Sequence, residues 1–252
     1  MASPIERDLL AASVLPPVAG DAMKLGPRPV TAFLALRGTL YEGELMVVGR
    51  AVNEWHYPVR LADLKETGAI TWYANAILRA STETDTCPMA WIAKSWGDRE
   101  AKYDPRRSAF WRVIRELASN VPQAGASAEA WPSTLVWSNL YKVAPANGGN
   151  PGTRLQKLQF GGCVELLRME LINYQPRHVV FLTGLDWAGP FIEAIGTEAF
   201  EQVGRAHVQA AGRFPGRFGG SRFVVAKHPR GKNEAQWLQE VLQALHRAKQ
   251  DS

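Results

Sequence analysis

The sequence predicts an α/β fold, a three-layer α/β/α sandwich around a central four-stranded, mainly parallel sheet. Four short β-branched and apolar runs recur along the chain, at 45–49, 134–138, 178–182 and 222–226. Segments with helical spacing separate them, an alternation that implies parallel strands with helices on both faces of the sheet. A hydrophobic content of 46% in 252 residues is enough to fill a sizeable core.

Residues 1–30 hold one short amphipathic stretch at 5–15, then Pro16-Pro17 and Gly26-Pro27-Arg28-Pro29. Such proline density predicts an extended N-terminal arm wrapping a single α/β domain over 31–252. The first apolar run leads into Arg50-Ala51-Val52-Asn53. Residues 63–68 and 72–78 read as a loop and a short helix. A helix is expected over 107–119, where Phe110, Val113, Ile114 and Leu117 recur at helical spacing. Residues 123–130, small and polar, form an exposed connection. The second run leads into Asn139-Leu140-Tyr141-Lys142, and Asn147-Gly148-Gly149-Asn150-Pro151-Gly152 is the strongest loop signal of the chain.

A long amphipathic helix follows over 155–173, through Leu158, Val164, Leu167, Leu171 and Ile172. The third run ends in Thr183-Gly184, and short helices are expected at 187–195 and 197–204. Residues 212–220 form a loop rich in glycine and arginine. The fourth run ends in Lys227-His228-Pro229, before a helix over 233–249 with Trp237, Val241 and Leu245 four apart on one face. No repeat, low-complexity tract or internal boundary interrupts the pattern.

The formal charge of +5 and isoelectric point near 9.3 are a mild basic bias. It suits a polyanionic partner and equally an ordinary solvated surface. Two cysteines, Cys87 and Cys163, lie far apart and cannot by themselves hold zinc or an iron–sulfur cluster. They suit a reducing cytoplasm, and the charged start around Glu6, Arg7 and Asp8 does not read as a secretory leader. No segment approaches the length of a membrane span. A cytoplasmic protein with no membrane partner is expected.

In an open α/β sheet, ligands bind at the carboxyl edge of the strands, near the point where strand order reverses. Asn139 would stand at that edge, with a carboxamide suited to the polar rim of a pyrimidine; alternatively it shapes the turn before the 147–152 loop. His228 would be held there by Pro229 and can donate to an oxygen that turns anionic, unless it is a plain exposed histidine. Asn53 and Glu54 follow the first run; either positions a water, and only Glu54 can act as a true general base, unless it is a solvated loop carboxylate. Trp55, His56 and Tyr57 come next, and aromatic faces stack on bases or sugars. With nine Trp in the chain, most are core. Lys142, Arg154, Arg213, Arg217, Arg222, Arg230 and Lys232 lie within or beside post-strand loops, placed for phosphate contact or scattered as surface cations.

Taken together, these signatures resemble the uracil-DNA glycosylase superfamily over roughly residues 45–245, in particular its bacterial and archaeal branch that usually carries an iron–sulfur cluster. The shared features are Asn139-Leu140-Tyr141-Lys142 before a Pro-, Gly- and Asn-rich loop, a helix near Cys163 leading to Pro176 and a strand ending in Gly184, and His228-Pro229-Arg230 before a terminal helix containing Trp237. The resemblance implies a monofunctional DNA glycosylase, acting as a monomer on a flipped nucleotide. Asn139 would read the base with Gly49, Trp55 and Tyr57 around it, and His228 would stabilise its departing charge. Asn53 first, or Glu54, would activate water. Lys142, Arg154, Arg217, Arg230 and Lys232 would bind DNA. The cluster cysteines are missing, so no metal or organic cofactor is expected. Arg50 stands where that branch has an acid, and the many nearby aromatics extend the expected targets to bulky modified pyrimidines. Some relatives attack modified bases in phage DNA, which makes anti-phage defence one expectation. A non-catalytic binder of modified or damaged DNA, a uracil-excising repair enzyme, and a nucleotide- or sugar-phosphate-processing enzyme are the alternatives.

Overall fold

The computed structural model describes residues 2–82, 87–121 and 129–247. The nine strands found among them are β1 (Val30–Ala32), β2 (Leu36–Arg37), β3 (Leu45–Ala51), β4 (Leu135–Tyr141), β5 (Val143–Pro145), β6 (His178–Phe181), β7 (Ala199–Gln202), β8 (Val208–Arg213) and β9 (Arg222–Ala226). Seven form one sheet in the order β2-β4-β3-β6-β9-β8-β7, while β1 and β5 pair antiparallel by themselves. The architecture is therefore mixed α/β with a mostly parallel central sheet. The sheet is larger than the four strands expected.

The four apolar runs are the contiguous centre of that sheet. Pairing of β3 with β6 and of β6 with β9 is parallel, in the register Leu45↔His178↔Arg222. Strands β6 and β9 are buried at nearly every position, as befits parallel strands. The additional strands come from weaker signals. Residues 197–204 were expected to be helical, yet Ala199–Gln202 pairs antiparallel with β8, which pairs antiparallel with β9. All four residues of β7 are exposed, so no period of burial marks it in the sequence.

The helices are α1 (Pro4–Leu9), α2 (Leu15–Gly20), α3 (Ala22–Leu25), α4 (Ala69–Thr82), α5 (Ala90–Lys94), α6 (Ala109–Asn120), α7 (Thr153–Tyr174), α8 (Leu185–Ile195) and α9 (Glu234–Arg247). The N-terminal residues are not an extended arm. Ser3 caps α1 in a reciprocal box with Glu6, a π-helical turn at Leu10–Val14 joins α1 to α2, and Leu10, Val14, Leu15 and Val18 are fully buried. Pro16 sits in the first turn of α2, where a missing N–H costs nothing, so the prolines start a helix rather than forbid one. Most of the expected 123–130 connection lies outside the described residues.

By the density of its internal contacts the chain divides into two compact units. The first comprises 1–36, 49–83 and 138–170, the second 37–48, 84–137 and 171–252. Among the described residues no helix is long and apolar enough to cross a membrane.

Candidate functional site

In the first unit the carboxyl end of β3 runs from buried Gly49 to Ala51, and the chain then turns into an irregular loop over 52–59. This loop is tied down at several points. Oδ1 of Asn53 accepts the Gly149 N–H at 2.9 Å. Trp55 packs edge-on against Phe33 with ring centroids 5.2 Å apart, and against His56 at 4.7 Å. Thr31 donates to the His56 carbonyl at 2.7 Å, Tyr73 donates to the Tyr57 carbonyl at 2.9 Å, and Val59 bridges to Val30. Tyr73 also accepts the Ala32 N–H, and burial pushes its phenol pKa up to about 12. Desolvation beside Trp55 holds the His56 pKa below the usual imidazole value.

Two residues of the loop, Glu54 and Tyr57, hold φ of 53° and 55°, left-handed conformations that side chains disfavour. Strain of this kind costs on the order of 1–3 kcal/mol and survives only where surrounding contacts over-determine the backbone. Both side chains are exposed, Tyr57 at 48%. Opposite them Gly148 has φ +87°, and a Cβ there would lie 2.8 Å from Oδ1 of Asn53. Any other residue there would strain the backbone and have to displace the Asn53 amide.

Asn139 lies within β4, not beyond its end, and is 1% exposed. Its Nδ2 has no hydrogen-bond partner among the described residues. An unsatisfied buried donor costs about 1–3 kcal/mol, so such a group calls for a reason. Ser138, on the other face of the strand, and Lys142, just after it, differ. Ser138 donates to Glu170 at 2.7 Å, and the Lys142 ammonium reaches Ser138 at 2.8 Å and Glu170 at 2.5 Å. Lys142 and Glu170 are both 0% exposed. The Lys142 N–H also donates to Gln159, and Cys163 stands beside it with its thiol pKa pushed up to about 12, chiefly by burial. Lys142 is therefore not a DNA-contacting cation; removing its charge from Glu170 would strand both ions in the interior. Glu170 was overlooked in the sequence, although an acid at helical spacing among Leu166, Leu167 and Leu171 is a signal for a buried partner. Arg154 is ion-paired to Asp21 and half exposed.

In the second unit His228 follows β9. Its Nδ1 accepts the Arg230 N–H at 3.2 Å, which assigns the proton of a neutral ring to Nε2 and makes that atom a donor. The imidazole stacks on Phe110 of α6, centroids 6.2 Å apart and 18° from parallel. Phe110 read as a core position in the sequence, and nothing local announces a partner 118 residues away. Trp237 donates to the Lys227 carbonyl at 2.7 Å and so anchors α9 to the stretch before His228. Arg217, Arg230 and Lys232 are exposed, Arg217 lying over the Phe218 ring at 4.9 Å. Arg213 and Arg222 do not lie at the carboxyl edge of the parallel strands as expected. Arg222 opens β9 and Arg213 closes the antiparallel β8, so both lie at the end of β9 away from His228.

A cleft of about 760 Å³ lies in that second unit at the amino ends of β3, β6 and β9, remote from His228 along the strand. Among the described residues no group of three or more His, Cys, Asp or Glu is placed to hold a metal ion. No protein-family model matches the chain, and no curated protein matches it.

Proposed function

We propose that the protein is a DNA glycosylase of the uracil-DNA glycosylase type that excises a modified or damaged pyrimidine by hydrolysing its N-glycosidic bond. The buried, unsatisfied Nδ2 of Asn139 carries this reading. A donor kept dry and unpaired has its desolvation cost met before a ligand arrives, so a base carbonyl or ring nitrogen that accepts from it gains most of a full hydrogen bond. Nε2–H of His228 suits the second task, donation to the oxygen on which charge gathers as the base departs.

The remaining step is attack of water on the sugar carbon. The bond from that carbon to the base nitrogen breaks with its electron pair going to the base, a carbon–oxygen bond forms, and the water proton passes to a carboxylate. Glu54 is the acceptor in this scheme, because one lone pair of Asn53 is already engaged by the loop backbone. Tyr57 and the exposed cations Arg217, Arg230 and Lys232 support contact with bases and phosphates. A bulky cytosine modification of phage DNA is the substrate class we favour, with uracil as its simplest member to test.

Incubation with duplexes carrying uracil, hydroxymethylcytosine or glucosylated hydroxymethylcytosine, followed by alkali, tests the proposal. Strand scission at the modified position is the expected result, and intact strands on all three substrates defeat it. A second reading, a non-catalytic binder of modified DNA, is favoured by the structural use of Asn53 and by Arg50 in place of an acid. It requires salt-sensitive binding without release of free base, so any free base eliminates it.

A further inference from the structure

We infer that the turn before α6, Pro105–Arg107, grips the phosphate backbone of DNA together with the loop that follows His228. The inference rests on the reading above of a protein that acts on DNA, and it adds a contact from a segment outside the strand ends. Every residue involved belongs to the second compact unit.

Residues 105–107 form a single 3-10 turn capped by Asp104, whose Oδ1 accepts the Arg106 N–H at 2.9 Å and the Gly97 N–H at 2.8 Å. Pro105 is buried and fixes the turn to the body, while Arg106 and Arg107 are exposed. The Arg106 arm runs beside Gly97, where a Cβ would come within 3.4 Å of its Cδ and Nη1. Arg112, in the first turn of α6, ties this segment to α9. Its Nη1 donates to the Arg106 carbonyl at 2.8 Å, and its Nε and Nη2 clasp the two oxygens of Glu234 at 2.9 and 2.5 Å. The stacking of Phe110 on His228 is a second tie. Two stretches far apart in sequence, 105–107 and 228–232, therefore share one surface.

That surface carries an excess of positive charge. Arg106, Arg107, Arg230 and Lys232 are all exposed, and none has an acid partner among the described residues. Glu234, the carboxylate best placed to neutralise them, has both oxygens engaged by Arg112. Asp104 is the other nearby acid, and its Oδ1 is turned onto two backbone N–H groups. The stretch just before it sets Asp98 and Glu100 against Arg99 and Lys102 and is balanced, so the excess is local to the shared surface. The amino end of α6, where Ser108 makes no side-chain cap, adds partial positive charge. Cations crowded in this way repel one another in the free protein, and a polyanion relieves that repulsion. Exposed cations suit a backbone lying across the surface, rather than a small anion that must enter a pocket. Phosphates recur every ~3.4 Å of axis along one strand, so cations within a few residues of the Phe110–His228 stack meet the neighbours of the nucleotide that His228 serves. The alternative is a plain solvated basic face that DNA does not touch.

Fluorescence anisotropy of the full chain with a short unmodified duplex, titrated from about 50 to about 200 mM salt, separates these outcomes. The double variant Arg106→Gln with Arg107→Gln should weaken binding by at least ~10-fold, and lower the slope of log affinity against log salt by about 1.8. Arg106→Lys with Arg107→Lys keeps both charges and should keep the slope. Lys24→Gln, an exposed cation of the first unit, should change neither affinity nor slope. Should the double Gln variant lose its circular dichroism, Arg107→Gln alone decides, with a slope lowered by about 0.9. An unchanged slope in the Gln variants overturns the inference, as does a Lys variant that loses as much as the Gln one, or a parent that does not bind the duplex at all. Because the duplex is unmodified, the result does not depend on base release. A parent that binds with these slopes and frees no base keeps this surface and loses the glycosylase reading. Base release together with unchanged slopes keeps that reading and removes the surface.

Discussion

Two faces of one strand treat buried polarity in opposite ways. On one face of β4, Ser138 is buried with Glu170 and with Lys142, the residue after the strand, and every polar head has a partner within 2.8 Å. On the other, Asn139 is as deeply buried and its amide nitrogen has none among the described residues. The first arrangement is what a stable interior requires of charge; the second is tolerated only where something other than stability selects it. The contrast separates a structural polar network from a candidate recognition group, although the two are adjacent in sequence.

The largest effect should come from breaking the satisfied face. Glu170→Leu leaves the Lys142 ammonium alone in the interior and should cost about 3–5 kcal/mol in urea unfolding. Adding Lys142→Met to that variant should recover most of the loss, since an apolar pair of similar volume replaces the ions. If the single and double variants are equally destabilised, the pair is not the source of the cost.

Asn139→Leu sharpens the other side. It removes the orphan donor at similar shape, so stability should hold or rise by up to about 1–3 kcal/mol while base release falls by at least ~100-fold. A comparable loss of stability and activity together would make Asn139 a core residue and nothing more.

Gly148→Ala tests the loop that carries Asn53. With φ at +87° and no room for a Cβ, it should lose about 1 kcal/mol of stability and lower base release more than it weakens DNA binding. The smallest effect is expected at Arg154. Its guanidinium holds the Asp21 carboxyl below its ordinary value of 3.8. A carboxylate whose folded pKa is depressed stabilises the protein above its unfolded pKa, and that contribution fades as pH falls through the folded value. Arg154→Gln should therefore lower stability at pH 7 only slightly, and reduce by the same small amount the loss seen on acidification below pH 3.8.

Parts of this are legible in the sequence alone. The β9 run and the four-apart stripe of α9 stand where periodicity puts them, because burial on both faces or on one stripe writes itself into local sequence. The candidate site was legible as residue types at strand ends, and less so as environments. Lys142 read as a surface cation because its partner is 28 residues away, on another element. Residues 1–30 read as an arm because prolines were weighed above the apolar spacing of Leu10, Val14 and Val18.

What the sequence determined by itself is the set of buried strands and the side chains that leave them, since those follow from propensity and period over a few residues. Tertiary structure alone decided which polar groups meet: the ion pair beneath β4, the stacking of His228 on Phe110, and the opposition of Arg213 and Arg222 across the β8–β9 ladder. Each depends on pairing register between distant segments. Local sequence carries no term for that, because the free energy that sets it arises only when the partners are brought together and water is removed.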